Sequence, residues 1–280
     1  MSEGAALHSP AMRFAKLHGL GNDFLLFDLR DQPAAAPMTP ARAIELCDRH
    51  RGVGGDGVLT LLRAEGGVRM LVHNSDGSVP EMCGNGARCA ALYVATEGCT
   101  RPAVEARVLL LTGAGPRPCI VSAAQPGLGE VSIGMGRPVV EAARALPLGN
   151  RRALAIPVSM GNPHRVFFLE PEEGARPLEQ LAQELGPVLC RAENANIEFV
   201  TRLGPRRWKA AVWERGAGFT QACGTGACAV AAAAVSRGDA QAGDELSVEL
   251  PGGALALTVD RQSGELQMKG PAQLVFRGEL

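Results

Sequence analysis

Two cysteines offer the chemistry in this 280-residue chain. Met82-Cys83-Gly84-Asn85-Gly86-Ala87 returns 140 residues later as Ala222-Cys223-Gly224-Thr225-Gly226-Ala227. Each cysteine stands just before a Gly-x-Gly turn that runs into an Ala-rich helical segment. A thiol at a helix N-terminus feels the partial positive charge of unpaired backbone N–H groups, which favours thiolate. The glycines let backbone approach a ligand without a Cβ in the way, and the N–H groups of such a turn suit a carboxylate. The reaction that needs one thiol on each side is inversion at a carbon beside a carboxylate. A thiolate takes the proton from one face while a thiol supplies one to the other, and the pair exchanges states.

The elements that must position these thiols repeat with them. Gly21-Asn22 recurs as Gly161-Asn162, Asn74 aligns with Glu214, and Gly98 with Gly238, all at the same offset. A shared register over so much chain reads as two structurally equivalent halves. Short strands in runs, with one Ala-rich helix per half that is apolar almost all round, predict an α+β fold in which each half is a sheet wrapped around its helix.

Met12–Leu17 and Phe24–Leu29 read as strands around the Gly19–Asp23 turn, and Pro40–Arg49 as a helix opened by proline. Strands over Val58–Leu62 and Arg69–His73 lead into the first cysteine loop. The central helix Ala87–Glu97 and a hairpin over Val104–Ser122 follow. The second half repeats this order: strands Ala153–Ser159 and Arg165–Leu169, a helix Leu178–Leu185, strands Ile197–Thr201 and Lys209–Trp213, a helix Ala227–Arg237, and a hairpin turning at Pro251-Gly252-Gly253. The expected division is residues 12–133 and 134–266, with a Pro- and Gly-rich connector over Arg137–Arg151. The terminal segment 267–280 is free to close the sheet of either half.

Composition narrows the class. A net charge of −1 from 28 basic and 29 acidic residues, without long runs of either sign, advertises neither a nucleic-acid nor a membrane surface. The longest apolar stretch, Cys228–Val235, is too short to span a bilayer. Residues 1–11 are small and polar, lack an apolar core, and read as a disordered lead-in rather than a signal peptide. Eight cysteines in a chain of this size without an export signal read as free thiols, and the location as cytoplasmic.

Rival chemistries fit less well. The spacings from Cys83 to Cys89 and from Cys223 to Cys228 suit no zinc knuckle, His is scarce, and Cys-x-x-Cys is missing. Cys47, Cys89, Cys99, Cys119, Cys190 and Cys228 read as small apolar residues. Gly52-Val53-Gly54-Gly55-Asp56-Gly57 has the dinucleotide spacing but follows a helix rather than a strand, so it reads as a tight loop. Pyridoxal phosphate needs a lysine in a phosphate-cradling setting, and Lys16, Lys209 and Lys269 have none. No cofactor and no metal are expected.

The chain resembles the diaminopimelate epimerases, cofactor-independent enzymes of bacterial lysine and peptidoglycan precursor synthesis. The resemblance rests on His18-Gly19-Leu20-Gly21-Asn22-Asp23-Phe24, Met82–Cys89, Met160-Gly161-Asn162-Pro163-His164, Glu214-Arg215-Gly216-Ala217-Gly218 and Ala222–Cys228, in order over nearly the whole chain. It implies interconversion of LL- and meso-diaminopimelate with Cys83 and Cys223 as the two bases, and with His164 and Glu214 adjusting thiol acidity and substrate orientation. It further implies substrate contacts at Asn22, Asn74, Asn162, Asn196, Glu214 and Arg215, and carboxylate binding at Gly84-Asn85 and Gly224-Thr225. A homodimer is also implied. Gly55 and Gly57 stand where many relatives carry larger side chains, one of them sometimes a substrate-contacting Gln, so no contact is carried over at position 57, and Asn194 competes with Asn196 for its role. A racemase for proline, hydroxyproline or histidine on the same scaffold, or a binding protein that kept the fold, are the alternatives.

Overall fold

The computed structural model describes residues 12–32, 37–96, 105–125, 127–170 and 176–280. The expected lead-in over residues 1–11, Gly98 and Cys99 lie outside them. The first half is built from β1 (Arg13–Gly19), β2 (Asn22–Asp28), α1 (Pro40–Cys47), β3 (Gly57–Ala64), β4 (Gly67–Asn74), α2 (Gly84–Thr96), β5 (Ala106–Thr112), β6 (Gly115–Gln125) and β7 (Leu128–Gly136). Two short strands, β8 (Val139–Val140) and β9 (Arg144–Leu148), come next. The second half follows with β10 (Arg151–Ser159), β11 (Pro163–Phe168), α3 (Leu178–Glu193), β12 (Asn196–Gly204), β13 (Arg207–Glu214), β14 (Gly218–Phe219), α4 (Gly224–Ser236), β15 (Glu245–Leu250) and β16 (Gly253–Val259). The chain ends in β17 (Leu266–Glu279).

The duplication is visible in strand sense. From β1 to β7 successive pairings run antiparallel, parallel, antiparallel, parallel, antiparallel, antiparallel. The series β10, β11, β12, β13, β15, β16, β17 repeats that order step for step. Every parallel step needs a crossover, which α1, α2, α3 and α4 supply. The terminal strand serves both halves: Leu266–Lys269 lies between β16 and β7, and Gln273–Glu279 pairs with β1. Through β17 the first sheet closes into a ring around α2.

Both central helices begin at Gly84 and Gly224, three residues earlier than the alanine pattern suggests. The cysteines explain it. Cys223 is the N-cap of α4, its Sγ accepting the Gly226 N–H at 3.3 Å, and Cys83 Sγ accepts the Gly86 N–H at 3.4 Å. A side-chain acceptor at that position satisfies an otherwise orphaned N–H, so the glycines fall inside the first turn. Two other boundaries also differ. The Arg137–Arg151 connector forms β8 and β9, which pair with β10. Helix α3 continues through Pro187 to Glu193, held by apolar packing of Leu178, Ala182, Leu189 and Cys190 against β11, β12 and β13.

The helices sit where an all-round apolar surface puts them. Every residue from Gly226 to Ala234 is buried in α4, and every residue from Gly84 to Leu92 in α2. Burial also holds the thiols of these cores protonated: Cys89 and Cys119 are pushed up to about 12 from an ordinary value of 9.0. The unfolded chain releases those protons first, so the stability they lend is complete below pH 9.0 and is lost as pH climbs toward 12. Thermal melts should hold level from neutrality to pH 9.0 and then fall, each thiol costing about 1 kcal/mol by one unit above its ordinary value. Cys89→Ala should flatten the decline, and an unchanged slope would rule the mechanism out.

Candidate active site

The two cysteine loops meet under β17. Met268 is fully buried, and its Cε would lie 2.9 Å from a Cβ on Gly84 while its Sδ would lie 3.3 Å from one on Gly224. One side chain thus packs both helix N-termini, and a larger residue at either glycine would have to displace its thioether. Asn85 then ties the loops together, its Nδ2 donating to Ala222 O at 2.8 Å and to Asn22 Oδ1 at 3.0 Å. Asn22 in turn donates to Asp56 Oδ2 at 2.8 Å, and Asp56 is held by Arg49. Cys83, the first-half turn and Cys223 therefore belong to one hydrogen-bonded array.

A matching chain stands in the second half. Asn162 Nδ2 donates to Thr225 Oγ1 at 3.3 Å, and Thr225 Oγ1 lies 3.6 Å from Cys223 Sγ. Asn162 Oδ1 meets His164 Nε2 at 3.0 Å, and His164 Nδ1 meets Glu198 Oε1 at 2.6 Å, with both the histidine and glutamate side chains fully buried. Glu214 accepts from Thr220 Oγ1 at 2.5 Å and bonds to Cys223.

Both asparagines near α3 serve Arg215. Asn196 Oδ1 accepts its backbone N–H at 2.8 Å, while Asn194, the left-handed cap of α3, accepts from its guanidinium at 3.2 Å. Arg215 itself stays exposed, free to meet a ligand. Asn74 lies at the end of β4 with its amide turned to Ser78 Oγ at 2.9 Å, outside the two chains around the cysteines. Gly57 pairs with Phe24 just as Asn196 pairs with His164, but a Cβ on Gly57 would lie 2.8 Å from His73 O, so the first half has no room for a side chain where the second carries Asn196.

The thiols differ from the sequence expectation. Burial pushes Cys83 up rather than toward thiolate; the Gly86 N–H pulls the other way and Glu214 adds to the rise. Cys223 is pushed well above its ordinary value by burial, then by Glu214 and Glu198. Desolvation of a buried anion outweighs a half-charge at a helix end. Burial also raises Glu214, against the Thr220 and Cys223 hydrogen bonds. Both thiols are therefore held protonated at neutral pH, and a cationic group beside them would favour the first ionisation.

Sequence reasoning missed Glu198, Arg88, Asp56 and Met268. Glu198 left a signal, a lone acid inside the apolar run Ile197-Glu198-Phe199-Val200. Arg88 is fully buried on α2, with Pro271 O and Gly84 O as acceptors at 3.4 and 3.5 Å, and it eases the rise at Cys83. All seven described cysteines are free, and among the described residues no cluster of His, Cys, Asp and Glu could hold a metal.

This fold is shared with solved structures described as epimerases. A hydroxyproline epimerase from Agrobacterium vitis superposes with a TM-score of 0.74 at 14% identity, covering 96% of this chain and 92% of that one. A structure described as a predicted epimerase from Pseudomonas aeruginosa gives 0.71 at 18% identity, covering 96% and 99%. Sequence narrows the class. The profile of the family described as Diaminopimelate epimerase matches residues 14–140 and 156–275. Diaminopimelate epimerases from Thermosynechococcus vestitus and a Synechocystis species are 42% and 40% identical, each over 96% of this chain and 99% of the relative. The chain belongs to the diaminopimelate epimerase family.

Proposed function

We propose that this protein interconverts LL- and meso-2,6-diaminopimelate in lysine biosynthesis, by proton transfer at the α-carbon between Cys83 and Cys223 and without a cofactor. The observation that carries the reading is the pair of cysteine-capped helix N-termini, packed on one methionine and joined by Asn85. The α-carboxylate lies on the first-turn N–H groups of Gly84-Asn85 and Gly224-Thr225, where two helix dipoles converge. One sulfur takes the α-proton and the other returns a proton to the opposite face. His164 and Glu214 tune the Cys223 side. The remote amino-acid head of the substrate is held by Arg215 and the amides of Asn22, Asn74, Asn162 and Asn196, with Glu214 available to an ammonium.

Each lysine already has an anionic partner, which supports cofactor-free chemistry over a Schiff base: Lys16 pairs with Asp23, Lys209 with Glu179 and Lys269 with Glu130. The working protein is a cytoplasmic homodimer, each chain divided near residue 133 with 267–280 returning to the first half. Among the described residues no helix is long and apolar enough to cross a membrane. The test is proton exchange followed by NMR: reduced protein and LL-diaminopimelate in D2O should lose the α-proton signal as the meso isomer grows. Proline and histidine should stay silent. Exchange with either of those and not with diaminopimelate would move the assignment to another racemase, and no exchange at all would leave a binding role.

A further inference from the structure

The two halves repeat one strand order but not one chemistry. Strand register identifies the counterparts. Phe24 pairs with Gly57 as His164 pairs with Asn196, so Phe24 corresponds to His164, and two residues along the partner strands Leu59 corresponds to Glu198. The glycine in each cysteine turn shows what stands behind the sulfur. A Cβ on Gly86 would lie 2.9 Å from Leu59 Cδ2 and 3.6 Å from Cys83 Sγ. A Cβ on Gly226 would lie 3.0 Å from Glu198 Oε1 and 3.2 Å from Cys223 Sγ. Beside the Cys83 turn is a leucine whose neighbouring strand carries Phe24; beside the Cys223 turn, at the matching register, is a carboxylate bonded to a buried histidine.

We propose that Glu198 is a positioning residue of this site, facing Cys223 across the gap left by Gly226 and anchoring His164, so that Cys223 is the thiol that holds its proton while Cys83 is the first to give one up. This deepens the two-thiol reading above and rests on it. Glu198 Oε1 takes His164 Nδ1 and fixes the ring, whose Nε2 fixes Asn162, whose amide holds the Thr225 hydroxyl beside the Cys223 sulfur; that hydroxyl favours the thiolate, and burial with the two carboxylates outweighs it. Glu198 Oε2 has no hydrogen-bond partner among the described residues, an uncommon state for a fully buried carboxylate oxygen. The charged groups around Cys223 are Glu198 from β12 and Glu214 from β13, with His164 from β11 acting on Glu214. Around Cys83 they are Glu214 and, from α2 itself, the cation Arg88. From α3, Cys190 faces Glu198 and Arg215. The carboxylates gather at Cys223 and the buried cation at Cys83.

The test is the pH dependence of iodoacetamide labelling in the intact, substrate-free protein, read cysteine by cysteine by mass spectrometry. Cys83 is half-buried and Cys223 buried, so each is read from the midpoint of its own pH profile rather than from its absolute labelling rate. In the wild type, Cys223 should need a higher pH than Cys83. Glu198→Gln removes the charge and keeps the shape, so the Cys223 profile should move down by about one pH unit while Cys83 stays in place. Glu198→Asp should restore the wild-type profile. An unmoved Cys223 profile, an upward shift, or equal shifts at both cysteines would overturn the proposal. Should Glu198→Gln fail to fold by circular dichroism, Glu214→Gln carries the test. With Glu214 neutral, Cys223 should still label at higher pH than Cys83, and coincident profiles would overturn the role of Glu198. Labelling needs no substrate, so failure of diaminopimelate exchange would strike the functional reading and leave this one standing on its own result.

Discussion

Cys83→Ala and Cys223→Ala should each lose at least about a thousandfold in turnover, in both directions, since the proposed mechanism makes each sulfur base for one isomer and acid for the other. The two losses should not add. Inversion needs a proton removed from one face and delivered to the other within one encounter, so the double variant should be no worse than either single one. Folding should survive. What Cys223→Ala gives up besides chemistry is the cap from its sulfur to the Gly226 N–H, about 1 kcal/mol. Cys→Ser keeps a capping acceptor and should recover that stability without recovering turnover, because a hydroxyl is far from ionising where even the thiol is held protonated. Steady-state rates from both isomers, with melting temperatures of all five proteins, decide the matter. Full activity in either single alanine variant would end the two-base reading.

Much of this site was legible in the residues, for a definite reason. A constant offset carries the cysteines, both glycine turns, and Asn22 with Asn162, and these positions do meet in space: Asn22 bonds Asn85 and Asn162 bonds Thr225. The counterpart of Glu198 was not legible because the offset slips by one residue between the second and third strands of each half. By position alone its counterpart would be Val58; only strand pairing reveals Leu59. The thiol state was hidden for another reason. A helix N-terminus is visible in sequence, but the burial and the two carboxylates that outweigh it come from β12 and β13, brought in by the fold. The terminal segment was open to either sheet, and it joins both because residues 266–269 have neighbours on each edge.

Gly252→Ala should be the most damaging substitution away from the sulfurs. The β15–β16 turn that holds Gly252 docks on the first-half turn at Leu20, and a Cβ there would lie 2.0 Å from Leu20 O, 2.9 Å from Leu20 C and 3.1 Å from Gln221 O. All three are backbone atoms, so no rotamer change can make room. Leu20 cannot easily yield. It sits at φ 56 with its side chain against Gly253, and Asn22 follows two residues later. If the Gly252 turn withdraws instead, it breaks its N–H bond of 2.8 Å to Gln221 O, two residues before Cys223. Either route moves one arm of the hydrogen-bonded array on Asn85. Overpacking of this kind costs about 1–3 kcal/mol. A shift of about 1 Å between catalytic groups costs about a hundredfold in rate. The expected outcome is a lowered melting temperature together with a rate loss much larger than the unfolded fraction explains. Gly204→Ala is the control, since nothing lies within 4 Å of its Cβ position, and it should leave both quantities near wild type. Wild-type rates in a folded Gly252→Ala protein would show that the two turns do not set the distance between the thiols.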